Sequence, residues 1–216
     1  MKSAIFDLDG VIVDTAKFHF LAWKKISKKY DYDLDEIQNE KLKGISRSDS
    51  LNHILRWSNK KISKKEFIAT LNEKNIIYLN FIKKLTHEDA LPGVLKTLNL
   101  FKQKGIKIAL GSASRNSKIV LNKLSLIKYF DVIIDGNDVV NSKPDPEVFI
   151  KGAEALGVFC EDCIVFEDSE AGVKAARDAK MNVIGICDSK NGLKNTLFNM
   201  QGFLTIKPNE IIKYFT

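Results

Sequence analysis

The chain has 216 residues, 44% of them hydrophobic and 28% charged, which is enough to bury a substantial core as one domain carrying an insertion or as two small domains. No apolar run is long enough to span a bilayer and no secretory leader precedes the first strand, so the expected location is cytoplasmic and no membrane partner is expected. The net charge of +7 is scattered over lysine pairs such as Lys24-Lys25, Lys28-Lys29 and Lys60-Lys61, which fit solvated helix faces rather than a nucleic-acid groove, and a positive field favours a small anionic substrate.

The chain opens on an apolar strand, Ala4-Ile5-Phe6, that runs straight into Asp7-Leu8-Asp9-Gly10. Two carboxylates two residues apart share a strand face, but Gly10 permits a turn that splays them into different environments and different roles. Like charges this close repel unless a cation compensates, and an all-oxygen site with few carboxylates suits Mg²⁺. A carboxylate can also be a covalent nucleophile. A solvated acidic turn is the plain alternative for this motif taken alone.

From position 15 the pattern becomes helical: residues near 15–30, 34–42, 47–58 and 64–85 carry apolar positions at helical spacing, with few strand signals. After Leu91-Pro92-Gly93 helix and apolar strand alternate, with helices at 94–104, 116–127, 146–157 and 169–180 and strands at 106–111, 131–134, 163–166 and 182–187. The fold class is therefore α/β, a doubly wound parallel sheet of Rossmann-like type with an inserted all-helical segment. The expected division is residues 1–14 with 90–216 as the sheet domain and residues 15–89 as a cap over it. In such sheets ligands bind beyond the carboxyl ends of the strands, where Asp7 and Asp9 are delivered. The tail after Asn199 is weakly patterned.

Three further strand ends carry chemistry. Gly111-Ser112-Ala113-Ser114-Arg115-Asn116 brings hydroxyls and amides together before a helix, as a phosphate cradle does, although a serine N-cap also accounts for it. Lys143 precedes Pro144, which keeps it in a loop where its charge can meet a transferring phosphate. Glu167-Asp168 ends the strand Ile164-Val165-Phe166 and can complete a Mg²⁺ site. Together these amount to metal-assisted phosphoryl transfer. Cys160 and Cys163 have C-x-x-C spacing but no second pair to build a zinc site with, and Cys187 stands alone, so ordinary free thiols are expected.

These four motifs, in this order and spacing, resemble the haloacid dehalogenase superfamily of aspartate-nucleophile phosphotransferases over essentially the whole chain. Three further segments resemble the helical cap of its sugar-phosphate mutases: Thr15-Ala16-Lys17-Phe18-His19-Phe20-Leu21-Ala22-Trp23, Lys41-Leu42-Lys43-Gly44-Ile45-Ser46-Arg47-Ser48-Asp49-Ser50 and Glu73-Lys74-Asn75. The resemblance implies that Asp7 is the nucleophile and Asp9 the general acid/base. It also implies that Asp7, Asp9 through its backbone carbonyl, Glu167 and Asp168 form the Mg²⁺ site, with Ser112, Ala113 and Lys143 on the transferring phosphoryl group and Ser114 supporting its loop. Gly44, Arg47, Ser50, Lys74, Arg115 and Asn116 would meet the sugar and its second phosphate. His19 would couple cap closure to Asp9, with Thr15 in the hinge and Trp23 and Lys43 in support. Arg115 stands where relatives often carry Lys, and Gly111 where other small residues are common.

The implied activity interconverts β-D-glucose 1-phosphate and D-glucose 6-phosphate through an aspartyl phosphate and β-glucose 1,6-bisphosphate. The alternative is a sugar-phosphate phosphatase of the same superfamily. The expected partners are small sugar phosphates, with no nucleic acid, and the family's fold works as a monomer. His53, His87 and the loop Asn137-Asp138-Val139-Val140 are given no role.

Overall fold

The computed structural model describes residues 3–187, 192–205 and 208–215. Strand β1 (Ser3–Phe6) lies at the centre of a six-stranded, all-parallel sheet with β2 (Lys107–Gly111), β3 (Val132–Ile134), β4 (Cys163–Glu167), β5 (Asn182–Ile186) and β6 (Phe198–Met200), in the order β3-β2-β1-β4-β5-β6. The chain leaves β1 toward β2 and later crosses back to place β4 on its other side, so the strand order reverses next to β1. That reversal opens a crevice at the carboxyl ends of β1 and β4. The strand β6 falls in the tail where the sequence pattern was weak, because three residues at a sheet edge make too short a run to show a period.

Each central strand is apolar on both faces because each face is covered by helices. Ala4 and Phe6, Ile108 and Leu110, and Ile164 and Phe166 pack on one side with α5 (Val94–Gln103) and α6 (Ser117–Lys123). Ile5, Ala109 and Val165 pack on the other side with α7 (Glu147–Leu156) and α8 (Glu170–Asp178). Phe6 anchors the first face: its ring stacks on Phe166 at 4.6 Å and meets Phe101, Phe130 and Phe203 at 6.0, 6.3 and 5.9 Å.

Between β1 and α5 lie α1 (Ala16–Ser27), α2 (Glu36–Glu40), α3 (Arg47–Trp57) and α4 (Lys64–Ile82). Ser46 and Ser63 start α3 and α4 by accepting the backbone N–H three residues on. These helices bury an apolar core of their own, including Trp23, Ile26, Leu51, Ile54 and Leu55, and the Tyr30 and Thr70 hydroxyls bond at 2.8 Å inside it. Helix α2 covers only five residues of the expected 34–42, fixed by a capping box between Asp35 and Gln38. The two crossings between this bundle and the sheet run side by side, with Val13 bridging Ala90 and the Leu91 N–H donating to the Ile12 carbonyl at 2.8 Å.

Phe6→Ala should lower stability by about 3–5 kcal/mol, because it empties the centre of a five-ring cluster that cannot collapse around the gap. Urea unfolding of the purified protein measures the loss.

Candidate active site

The carboxyl ends of β1 and β4 place Asp7 and Glu167 next to each other, and the Asp7 N–H donates to the Phe166 carbonyl at 3.0 Å. Between them sits Lys143, its side chain fully buried, with Nζ 2.7 Å from Asp7 Oδ1 and 2.6 Å from Glu167 Oε1. The loop before α7 delivers this ammonium and runs through a cis Lys143-Pro144 peptide. Glu167 is spent on holding the arrangement: its second oxygen accepts from the Asp168 and Ser169 N–H groups at 2.6 and 2.9 Å and from Ser169 Oγ at 3.1 Å.

Asp168 faces the same point across Gly10. With φ at +79°, Gly10 takes a left-handed turn, and a Cβ on it would lie 2.1 Å from Asp168 Oδ2. Asp7, Glu167 and Asp168 each offer a carboxylate oxygen within 4.8 Å of the others, a donor set that fits a hard cation. Burial pushes Asp7 up to about 8, Lys143 opposes the rise and Glu167 and Asp9 add to it. Burial also holds Asp168 well above the usual carboxylate range, with Glu167 and Asp7 reinforcing it. Burial works against the charge on Lys143, but Asp7 and Glu167 outweigh it and hold the ammonium above its ordinary range. One cation for three acids leaves the cluster short of positive charge, which a metal ion would supply.

Asp9 points elsewhere. Its Oδ1 accepts a short hydrogen bond from Thr15, and burial raises its carboxyl against that bond and the charge of Lys74. His19 Nε2 faces the same oxygen at 3.7 Å without forming a hydrogen bond, while His19 Nδ1 lies 2.8 Å from Lys74 Nζ. When Lys74 is charged it must donate to Nδ1, which places the histidine proton on Nε2, toward Asp9. Burial, then Lys74 and Arg47, hold the histidine well below its usual range, so it stays neutral. Lys74 is buried against the Trp23 and Tyr78 rings, at 4.9 and 5.0 Å, and burial with Arg47 nearby lowers it to about 7. The Tyr78 ring lies 4.1 Å from that of His19, and its hydroxyl is buried beside Thr15 and Ser114.

The phosphate-cradle loop follows β2. The Ser114 N–H donates to Ser112 Oγ at 3.1 Å and the Asn116 N–H to Ser114 Oγ at 3.3 Å, which folds the loop into a tight nest before α6. Arg47, at the start of α3, and Arg115 lie close enough that Arg115 adds to the burial lowering Arg47, and no carboxylate pairs with either among the described residues. Two guanidinium groups converging without an acid form an anion site.

One cavity of about 1410 Å³ connects all of this. Asp7, Asp9, His19, Trp23, Lys43, Gly44, Arg47, Ser50, Lys74, Ser112, Ala113, Ser114, Arg115, Lys143 and Asp168 line it. Thr15, Asn116 and Glu167 stand behind the wall and act through the side chains they hold. Ser50 Oγ is committed to the Ser46 carbonyl at 2.9 Å, and Lys43 pairs with Glu40 at 2.9 Å. Gly44 brings its loop so near the sheet that a Cβ would lie 2.3 Å from Ser169 Oγ. Val139 and Val140, in the loop given no role, line the cavity, and Glu147 accepts from the Val140 and Asn141 N–H groups.

Three participants were given no role from the sequence, although Asp49 and Asn75 lie inside the segments that carry the cap resemblance. Asp49 accepts from Ser142 Oγ at 2.7 Å across the cavity, Asn75 accepts from Asn116 at 2.9 Å, and Tyr78 packs on His19. Tyr78 follows Lys74 by four positions on α4, so helical spacing put it on the same face. Asp49 and Asn75 meet partners far away in the sequence, and nothing local to their segments indicates those partners. Cys160, Cys163 and Cys187 are free thiols.

The haloacid dehalogenase-like hydrolase family model matches residues 4–186. The chain is 44% identical over 188 residues to β-phosphoglucomutase of Bacillus subtilis, covering 86% of this chain and 83% of that protein. It is 32% identical over 216 residues to a phosphorylated carbohydrates phosphatase of Thermotoga maritima, covering 98% and 97%. Its fold superposes on a crystal structure of β-phosphoglucomutase from Clostridium difficile with a TM-score of 0.94 at 40% identity, covering 100% of this chain and 97% of that one.

The lowered Lys74 gives a pH signature. Its cost to the metal-free fold is full below about 7 and disappears as pH rises toward 10.5, where the unfolded lysine also loses its proton. Lys74→Met should therefore have a higher Tm than the parent at pH 6, with the gap closing as pH rises above 7, in thermal unfolding with chelator present.

Proposed function

The chain belongs to the haloacid dehalogenase-like hydrolases, and from that membership and the geometry of its cleft we propose that it is a phosphomutase interconverting β-D-glucose 1-phosphate and D-glucose 6-phosphate through β-glucose 1,6-bisphosphate. The observation that carries this reading is the presence of two anion sites in one cavity: Ser112, Lys143 and Asp7 at the strand ends, and Arg47 with Arg115 against the helical bundle. A phosphatase needs the first alone. A mutase that passes through a bisphosphate needs both, because one phosphate must be gripped while the other is transferred. A sugar-phosphate phosphatase would need the same strand-end chemistry, and the second site favours the mutase over that reading.

In this mechanism Asp7 Oδ attacks phosphorus, a new P–O bond to Asp7 forms, and the bond to the sugar oxygen breaks. Lys143 and the nest at Ser112 and Ala113 hold the phosphoryl oxygens while the charge shifts. Asp9, raised by burial, protonates the leaving sugar oxygen in one direction and takes a hydroxyl proton in the other. Thr15 keeps that carboxyl turned toward the sugar, and His19, neutral with its Nε2 proton toward Asp9, orients it. Asp7 and Asp168, with Glu167 beside them and the Asp9 backbone carbonyl that the resemblance implies, would hold Mg²⁺, which would neutralise charge on the nucleophile and the phosphoryl oxygens.

Residues 15–89 serve as a cap on the sheet domain formed by 1–14 and 90–216. Gly44, Ser50, Lys74 and Trp23 line the sugar side, where the spare donors of Lys74 are left for sugar hydroxyls. Closure excludes water from the aspartyl phosphate, so another sugar phosphate, not water, receives the phosphoryl group. The enzyme works as a cytoplasmic monomer on small sugar phosphates.

With β-D-glucose 1-phosphate, Mg²⁺ and a trace of β-glucose 1,6-bisphosphate, the expected product is glucose 6-phosphate with little free phosphate, quantified together in one reaction. Free phosphate without isomer would make the protein a phosphatase. Arg47→Ala should reduce mutase turnover about 10- to 100-fold, the loss of one charge-assisted phosphate contact, while acetyl phosphate still phosphorylates Asp7 at near the parent rate.

A further inference from the structure

Two donors from opposite sides of the cavity converge on one atom. Arg47, from α3, donates an N–H to Asn75 Oδ1 at 2.8 Å, and Asn116, at the start of α6, donates through Nδ2 to the same oxygen at 2.9 Å. The orientation of the Asn75 amide follows from chemistry, because a guanidinium has only donors and the atom facing it must be the oxygen. Asn75 sits on α4, next to Lys74, and its oxygen is a neutral acceptor between a guanidinium and a carboxamide that have no carboxylate partner among the described residues.

Resting on the mutase reading above, we propose that Asn75 Oδ1 is a placeholder for an oxygen of the non-transferring phosphate, holding the Arg47 and Asn116 donors whenever that phosphate is away. A phosphate entering this site exchanges hydrogen bonds instead of adding them. It displaces Oδ1 because a charged acceptor binds these donors more strongly than a neutral one, but the margin is narrowed by what it displaces. The narrowing serves a mutase in particular. Its bisphosphate intermediate must let go of the second site, turn around and bind again. Oδ1 takes the two donors back during that turn, so half-buried donors are not left unpaired at the moment the intermediate reorients. Tight gripping of the second phosphate and rapid turning of the intermediate are opposed requirements, and Asn75 is the residue that balances them.

The test separates this from a purely structural role. In an Asp7→Asn background, which cannot transfer phosphate, glucose 6-phosphate with Mg²⁺ is the probe and its affinity is read by calorimetry. Adding Asn75→Ala should tighten binding about 5- to 10-fold, since nothing must then be displaced. In the otherwise native enzyme the same change should lower KM and kcat together as the intermediate turns more slowly. Asn75→Asp, which keeps the shape and supplies a permanent anion, should weaken binding at least about 10-fold. Unchanged or weaker binding by Asn75→Ala would make the residue a scaffold for Arg47 and overturn the proposal, as would unchanged or tighter binding by Asn75→Asp. The binding measurements involve no turnover, so they stand apart from the mutase reading, which fails only if the parent enzyme releases phosphate without making glucose 6-phosphate.

Discussion

A single buried ammonium organises this molecule's chemistry. Lys143 has no exposed side-chain surface and touches two carboxylates that arrive on different strands, Asp7 from β1 and Glu167 from β4. Removing one member of such a group typically costs about 3–5 kcal/mol, because the remaining charges are stranded away from water. The sheet order is what makes the meeting possible: β1 and β4 are neighbours only because the strand order reverses there, and the loop before α7 must thread into the same crevice. One positive charge against Asp7, Glu167 and Asp168 also leaves the cluster short of positive charge, so the neighbouring acids add to burial in raising Asp7 and Asp168 above the ordinary carboxylate range. The same deficit prepares the site for a metal ion and a phosphoryl group that arrive together.

The two starting carboxylates are separated by environment more than by distance in sequence. Asp7 lies against Lys143 in the acid cluster, whereas Asp9 turns past Gly10 toward Thr15 and the edge of the helical bundle. In the proposed mechanism that divides a nucleophile from a proton carrier with no change in residue type. The helical bundle adds Lys74, His19 and Tyr78, and among the described residues His19 Nε2 is buried without a hydrogen-bond partner. An unpaired buried polar group costs about 1–3 kcal/mol. A fold carries one at such a spot only where something else completes it, and the Asp9 carboxylate, 3.7 Å away, is placed to do so.

The bundle and the sheet meet through a polar rim at the cavity and an apolar seam below it. Ser142 donates to Asp49, Asn116 donates to Asn75, and Gly44 rests on Ser169. These polar contacts line the cavity, while Ala22, Tyr78, Ile82 and Leu85 of the helical segment join the apolar cluster of the sheet's first face beneath it.

The sequence alone determined the elements and the strand-end motifs. Continuous apolar runs ending in Asp7, Ser112 and Glu167 can only be buried parallel strands with chemistry at their carboxyl ends, since side-chain period and burial are local properties of the chain. It also determined the family, and with it the helical insertion. Tertiary structure decided what no local pattern encodes: that Glu167 spends both oxygens on holding Lys143 and the Asp168 turn, that Tyr78 closes over His19, and that Asn75 and Asp49 reach across the cavity. The short edge strand β6 was decided there too, by pairing with β5. Hydrogen bonds between residues 41 or 93 positions apart depend on how two separately packed bodies meet, and that meeting leaves no periodicity in the sequence to be found.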